Sequence, residues 1–441
     1  MSERGGGGDP VRVSRRVAEL PRSAMEAVHV RAAELVSRGC DVIDLLGGEP
    51  EHAVPPSAGP ELARAVLASG TTDVQGELGL EELRRAVAHW YLDRHGVEVD
   101  ADSEVLVLPG AGAGLFHLPT VACDPGDVVL VPDPSLPIYR TAAYLAGAEV
   151  VTVALRTDAG LLPDLAAIPV SLGRRARLLY LNYPNNPTGA TAPAAFFQEV
   201  IAIARRHHWL VCNDLTHGGF GSGHRPASLL EAEGAGECAV EIVSWSHTFG
   251  LADWRLAAAV GGREVLQALS RVLAAARLWV PAPIQRAGAA VLTAVPSTGF
   301  LTARFESERA RRDVLVAALQ EAGAPVRRDR AAPFLWVPCP REQDSLGFSL
   351  WLLERTAVAV APGIAFGAGG EGFVRLALAA PTATVEEAAD RLRGLGPDGW
   401  SLVRGQAPAR PHVPFNVRVD GEAWVAEPLA SAAQDATLGC L

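Results

Sequence analysis

The chain contains no lysine. Its 39 basic residues are all arginine, set against 50 acidic ones for a net charge of −11. Chemistry that needs a lysine amine of the protein, a Schiff base to a carbonyl compound above all, is therefore excluded. A GC-rich, Ala/Arg-rich coding bias accounts for most of that absence. Basic runs beyond short Arg pairs are also missing, which argues against a nucleic-acid surface. The stretch before Val17 is too short for a helix-turn-helix. No segment approaches the roughly 20 uninterrupted apolar residues of a membrane span. Residues 1–10 are polar and Gly-rich without an apolar signal core, and the six cysteines contain no C-x-x-C, so a cytoplasmic protein with reduced thiols is expected. What is present is ordinary globular composition, 49% hydrophobic and 20% charged over 441 residues, enough for two or three domains.

Seven short apolar runs alternate with Ala/Leu/Arg-rich segments: 104–109 (EVLVLP), 127–132 (DVVLVP), 148–155 (AEVVTVAL), 176–182 (ARLLYLN), 209–214 (WLVCND), 239–246 (AVEIVSWS) and 256–261 (LAAAVG). Runs apolar on both faces belong to a sheet covered on both sides, hence mostly parallel. Helical patterns at 78–94, 115–122, 195–208 and 263–278 complete an α/β, doubly wound pattern. Beyond it come a helix at 307–323, a strand at 334–338, a helix at 345–355, a loop with Pro362-Gly363 and a strand at 372–379, which together predict a smaller α+β domain. The expected division is 1–43 as an N-terminal segment joining the small domain, 44–289 as the large domain, 290–395 as the small domain and 396–441 as an appended tail. Within that tail, 416–426 (NVRVDGEAWVA) carries a hairpin signal around Asp420-Gly421. The tail is expected to pack on the surface or dock a protein partner and to be dispensable for folding. No fixed-period repeat is present.

Ligands of an open parallel sheet bind beyond the carboxyl ends of its strands, so those ends matter most. The run 104–109 opens into Gly110-Ala111-Gly112-Ala113-Gly114 and a helix, where small residues let backbone amides approach an anion. The run 176–182 leads into Tyr183-Pro184-Asn185-Asn186-Pro187-Thr188-Gly189, and 209–214 ends in Asp214-Leu215-Thr216-His217. The run 239–246 continues as Ser244-Trp245-Ser246-His247-Thr248-Phe249-Gly250, with Arg255 eight residues after His247. Farther on, Pro362-Gly363-Ile364-Ala365-Phe366-Gly367 precedes Gly372-Phe373-Val374-Arg375-Leu376. Taken in order with Gly79-Leu80-Glu81-Glu82-Leu83-Arg84 and Asp133-Pro134-x-x-Pro137-x-Tyr139, these motifs resemble the class I/II aminotransferases. Those are fold type I enzymes that use pyridoxal phosphate, and the resemblance spans about residues 17–395.

The resemblance implies a role for each matching residue. Asn186 would bond the ring hydroxyl of the cofactor, and Asp214 would pair with the ring nitrogen and keep it protonated, making the ring an electron sink. Ser244, Ser246 and Arg255 would hold the phosphate with Ala111, Gly112 and Ala113, and Arg375 would clamp a substrate α-carboxylate. It also implies a homodimer with the active site at its interface. The departures are as informative. His247 stands where the family has the lysine that carries the cofactor covalently, and His217 replaces a tyrosine that contacts the ring hydroxyl. Val74 replaces a phosphate-binding tyrosine, Leu136 replaces an aromatic that stacks on the ring, and Ala111 and Ala113 lack hydroxyl or carboxylate groups.

Each residue has a plainer reading. Asp214 could cap its turn, Arg255 and Arg375 could be interior ion-pair partners, Asn186 could serve only its Asn-Pro turn, and His247 could be a hydrogen-bonded structural histidine. The motif context favours the cofactor roles for Asp214, Arg255 and Arg375, and leaves Asn186 balanced. A metal site at Asp214 and His217 lacks further ligands at a recognisable spacing, so none is expected. An imidazole with its ordinary pKa near ~6.5 suits acid–base work, but it cannot replace a lysine's covalent role. The first reading is thus an aminotransferase-like enzyme holding pyridoxal or pyridoxamine phosphate non-covalently. It would act on an amino or keto acid by half-transamination, elimination or condensation, with His247 as acid–base; some sugar dehydratases of this fold type also carry histidine there. A second reading is a non-catalytic relative serving as scaffold or binding partner. A third is a cofactor-independent enzyme that reuses the pocket through His247 and His217.

Overall fold

A computed structural model describes residues 12–47, 54–68, 76–219, 225–326, 333–340 and 343–400, and the backbone of 415–420 and 423–428. In chain order the strands are β1 (Ile43–Leu45), β2 (Val105–Pro109), β3 (Val128–Asp133), β4 (Glu149–Arg156), β5 (Leu162–Pro163), β6 (Ala176–Leu181) and β7 (Leu210–Asp214). They continue as β8 (Ala239–Ser244), β9 (Leu256–Gly261), β10 (Phe334–Pro338), β11 (Val358–Pro362), β12 (Phe373–Ala377), β13 (Phe415–Asp420) and β14 (Ala423–Pro428).

The larger sheet runs β2-β9-β8-β7-β6-β3-β4-β5. Its centre, β8-β7-β6-β3-β4, is parallel, while β9 runs antiparallel to both β2 and β8. All seven expected strands are present, but the sheet has eight. The extra strand, β5, is a two-residue antiparallel addition to β4, too short to carry any periodicity in sequence. Strands β2, β3, β6, β7, β8 and β9 are buried along nearly their whole length, as continuous apolar runs require. Helices cover both faces. Ala111–Ala122, Pro137–Ala146 and Arg263–Ala275 contribute Leu115, Leu118, Tyr139, Leu266 and Leu269 to one layer. Ala194–His207 contributes Phe197, Val200 and Ile201 to another.

The second sheet has the order β1-β11-β12-β10. Strand β1 pairs in parallel with β11, and β12 lies antiparallel between β11 and β10. The long helix Phe300–Glu321 and the helices Ser345–Thr356 and Thr382–Arg393 pack Leu315, Leu319, Phe348, Leu352 and Leu392 against it. Strand β11 occupies part of what the sequence reads as the loop after the helix 345–355. Its preceding helix is ended by Ala357 in the left-handed region, φ 54°, where a glycine would have signalled the stop.

Two further expectations need correction. The core does not end at Leu395: Trp400 is buried, packs edge-on against Phe348, and donates its indole N–H to the Pro338 carbonyl at 2.8 Å. The packed core therefore extends past Gly396 to Trp400. The thiols are not all reduced either, since Cys40 is disulfide-bonded, while Cys123, Cys212, Cys238 and Cys339 are free. Strands β13 and β14 form the expected antiparallel hairpin, closing from Asp420 paired with Ala423; the rest of the tail lies outside the described residues. Among the described residues no helix is long and apolar enough to cross a membrane.

Candidate active site

The parallel order brings the carboxyl ends of β2, β3, β6, β7 and β8 to one edge of the larger sheet. Strand β9 starts at that same edge, because Pro109 pairs with Leu256 and Ser244 with Ala257. Arg255, the residue before β9, therefore meets Gly110, the residue after β2. Gly110 has φ 87°, and a Cβ there would lie 2.7 Å from an Arg255 guanidinium nitrogen. Ala111, Gly112 and Ala113 form the first turn of the helix Ala111–Ala122, which Gly110 caps, so the positive helix end lies at the turn on which the Arg255 guanidinium packs. Ser244 caps the short helix Trp245–Phe249 through its side chain, which accepts from the Ser246 N–H at 3.3 Å. Arg255, Gly110–Ala113, Ser244 and Ser246 thus share one strand edge.

Asp214 ends β7 and is buried. One carboxylate oxygen accepts the Tyr139 hydroxyl at 2.6 Å; the other accepts the Thr216 N–H at 3.0 Å and the Thr216 hydroxyl. Burial holds its pKa above the ordinary carboxylate range, and these donors offset part of that rise. Its carbonyl accepts from Asn182 at 2.7 Å, tying the ends of β6 and β7 together.

His247 sits in the Trp245–Phe249 helix, and its ring centroid is 4.5 Å from that of His217, three residues beyond Asp214. The edge of Phe334 from β10 closes on His217 at 5.1 Å. Both imidazoles are buried. The expectation of an ordinary histidine pKa at His247 is overturned: burial, then the charges of Arg304 and Arg375, push it down to about 3. His217 is likewise pushed well down, by burial, His247 and Arg375. At neutral pH both rings are uncharged.

Arg375, on β12, reaches this edge from the smaller sheet. Its guanidinium lies over the Phe334 and Phe366 rings at 4.3 and 4.8 Å. It donates to Asn186 Oδ1 at 2.8 Å and to the Leu46 carbonyl. Burial lowers its pKa to about 9. Asn186 is fixed in turn by its own N–H on Asn182 Oδ1 at 2.7 Å. Leu136 borders the site as the cap of the helix Pro137–Ala146 and packs with apolar neighbours of both sheets. Val74 lies outside the described residues.

Four contributors carry no signal in sequence for the part they play here. Arg304 is on the helix Phe300–Glu321, paired with Glu308 at 3.0 Å; in sequence it reads only as an i, i+4 ion pair. Phe334 and Phe366 look like core aromatics. Tyr139 belongs to the Pro137-x-Tyr139 motif, but its bond to Asp214 spans 75 residues.

Comparison with known proteins places the chain in a family. The family model "Aminotransferase class I and II" matches residues 40–392. The LL-diaminopimelate aminotransferase of Desulforudis audaxviator is 38% identical over 382 residues, 86% of this chain and 97% of that protein. That of Dehalococcoides mccartyi is 36% identical over 385 residues, covering 87% and 99%. Among solved structures, substrate-bound BacF from Bacillus subtilis superposes with a TM-score of 0.83 at 30% identity over 90% of this chain and all of that one. A probable N-succinyldiaminopimelate aminotransferase from Thermus thermophilus does so with a TM-score of 0.79 at 34% identity, over 84% of this chain and all of that one. With the family model and these relatives covering most of its length, the chain belongs to the class I and II aminotransferase family.

Proposed function

We propose that this chain is a pyridoxal-type enzyme that holds its cofactor without a covalent bond and acts on an amino or keto acid, with His247 as the group that moves the proton. The observation that carries the reading is the pairing of a lysine-free chain with a buried imidazole at the strand edge where Asp214, Arg255 and Arg375 converge.

The residues present fit such a cofactor. Asp214 offers a buried carboxylate to a ring nitrogen. Gly110 lets the Arg255 guanidinium pack directly on the turn, where any Cβ would come within 2.7 Å of it, and sets that charge beside a helix N-terminus suited to a phosphate. Among the described residues the Arg375 Nε has no hydrogen-bond partner although it is buried, which suits a carboxylate that takes Nε and one Nη together. Bound there, the cofactor supplies an electron sink for the electron pair of a substrate α-carbon. Arg375 orients the substrate by its carboxylate, with Asn186 bracing the guanidinium. The neutral His247 nitrogen accepts the α-proton and returns it to the acceptor carbon; with water then supplying the keto oxygen as the product leaves, the outcome is a half-transamination. Two nearby guanidiniums disfavour the imidazolium, so this base is weak in the free protein; a bound phosphate and carboxylate offset those charges and strengthen it. The relatives' names point to diaminopimelate-like amino acids as first substrates to try. We further propose a homodimer, with the large and small domains dividing near residues 44 and 290 and the small domain extending to Trp400.

The test is to titrate the protein with pyridoxal phosphate and pyridoxamine phosphate, follow affinity and spectra, and treat the mixture with borohydride. The reading expects binding of at least one form and no cofactor mass left on the chain after reduction. No affinity for either form would favour the non-catalytic reading, which the apolar Leu136 at the ring position supports.

A further inference from the structure

We propose that Tyr139 is a positioning residue that keeps Asp214 as a carboxylate, ready to pair with the ring nitrogen of a pyridoxal-type cofactor. The inference rests on the cofactor reading above for its purpose, but not for its geometry. A carboxyl buried as fully as Asp214 protonates unless donors hold its charge, and a neutral carboxyl cannot keep a ring nitrogen protonated. Asp214 has three donors. Two belong to Thr216, two residues on, and are what any Asp-initiated turn makes with its own chain. The third is the Tyr139 hydroxyl at 2.6 Å, brought from the helix Pro137–Ala146 on the far side of β6.

That hydroxyl is held with little freedom. The Tyr139 ring is buried and stacks on Tyr180 at 4.8 Å with planes 17° apart. Tyr180 is itself anchored by its hydroxyl on the Leu115 carbonyl at 2.6 Å. Burial and the facing carboxylate push the Tyr139 phenol far above its ordinary range, so it donates at every pH the fold survives. The other titratable groups around the pair, Tyr180 and Cys212, are also pushed up by burial and stay neutral. Among the described residues, Tyr139 and Thr216 thus supply the side-chain hydrogen bonds that hold the charge.

Tyr139→Phe removes the hydroxyl and keeps the ring stack. Infrared titration of the cofactor-free protein, with Asp214→Asn marking the Asp214 carboxyl band, reads the protonation state directly. The expected result is an ionised Asp214 at neutral pH in wild type and an upward-shifted titration in Tyr139→Phe, with pyridoxamine phosphate affinity falling roughly tenfold, the worth of one charge-assisted bond. An unshifted Asp214 titration in Tyr139→Phe overturns the proposal. So does a protonated Asp214 in wild type at neutral pH, a measurement that stands if the variant fails to fold. Absence of pyridoxamine phosphate binding by wild type would overturn the cofactor reading instead, leaving the titration to decide the role of Tyr139.

Discussion

At the residue scale, the molecule holds neutral histidines where charge would be costly, and this sets its response to acid. His247 titrates at about 3 and His95 at about 4, the latter through burial and then the charge of Arg225. In the unfolded chain both titrate near ~6.5. Between those values the unfolded state binds more protons, so stability is fully present above the ordinary histidine pKa and falls as pH drops below it. Each histidine forfeits on the order of 2 kcal/mol by pH 5. His247→Gln and His95→Gln should each flatten the fall of Tm between pH 7 and pH 5; an unchanged slope in both would contradict the assigned directions. The missing lysine was legible in sequence, and so was the place of Asp214 at the end of β7, of Arg255 just before β9 and of Arg375 within β12, because each sits in a recognisable motif. The environment of His247 was not: Arg304 reaches it from a helix some 57 residues downstream, and no local pattern announces a charge acting across two elements.

At the element scale, the strands of the larger sheet were legible because they are buried on both faces, and a continuous apolar run has few other uses. Strand β1 was hidden by its three-residue length, and β11 by a helix that ends on alanine. The turn from β2 into the helix Ala111–Ala122 was visible as a Gly/Ala run, but not the fit of Gly110 against Arg255. That fit makes a prediction. Gly110→Ala must accommodate both a positive φ and a Cβ 2.7 Å from the guanidinium, and at φ 87° an alanine is strained. Phosphate-dependent binding should weaken at least tenfold, measured as the ratio of pyridoxamine phosphate to pyridoxamine affinity; a Gly110→Ala protein with the wild-type ratio would remove Arg255 and this turn from the phosphate site.

At the scale of the whole molecule, two sheets meet at one edge, and Arg375 bridges them by bonding Asn186 on one side and lying between Phe334 and Phe366 on the other. The smaller sheet is thus part of the site, which its sequence signalled only through Gly372-Phe373-Val374-Arg375. Trp400 closes that sheet's core, so truncation after Leu395 should cost about 3–5 kcal/mol, the scale for loss of a buried tryptophan. Measured in reductant, with the Cys40 disulfide open, truncation after Trp400 should leave Tm nearly unchanged; equal Tm values for the two truncations would show that Trp400 contributes nothing. Sedimentation at micromolar concentration should give a dimer, and a monomer would contradict the proposed assembly.

The central claim is that His247 moves the proton in place of a lysine. Its most direct test is a single turnover: wild type and His247→Ala are each loaded with pyridoxamine phosphate, mixed with excess 2-keto acid, and followed for amino-acid product. The account predicts product from wild type and a rate lower by about 10²–10⁴-fold in His247→Ala. Equal rates in the two proteins would contradict it.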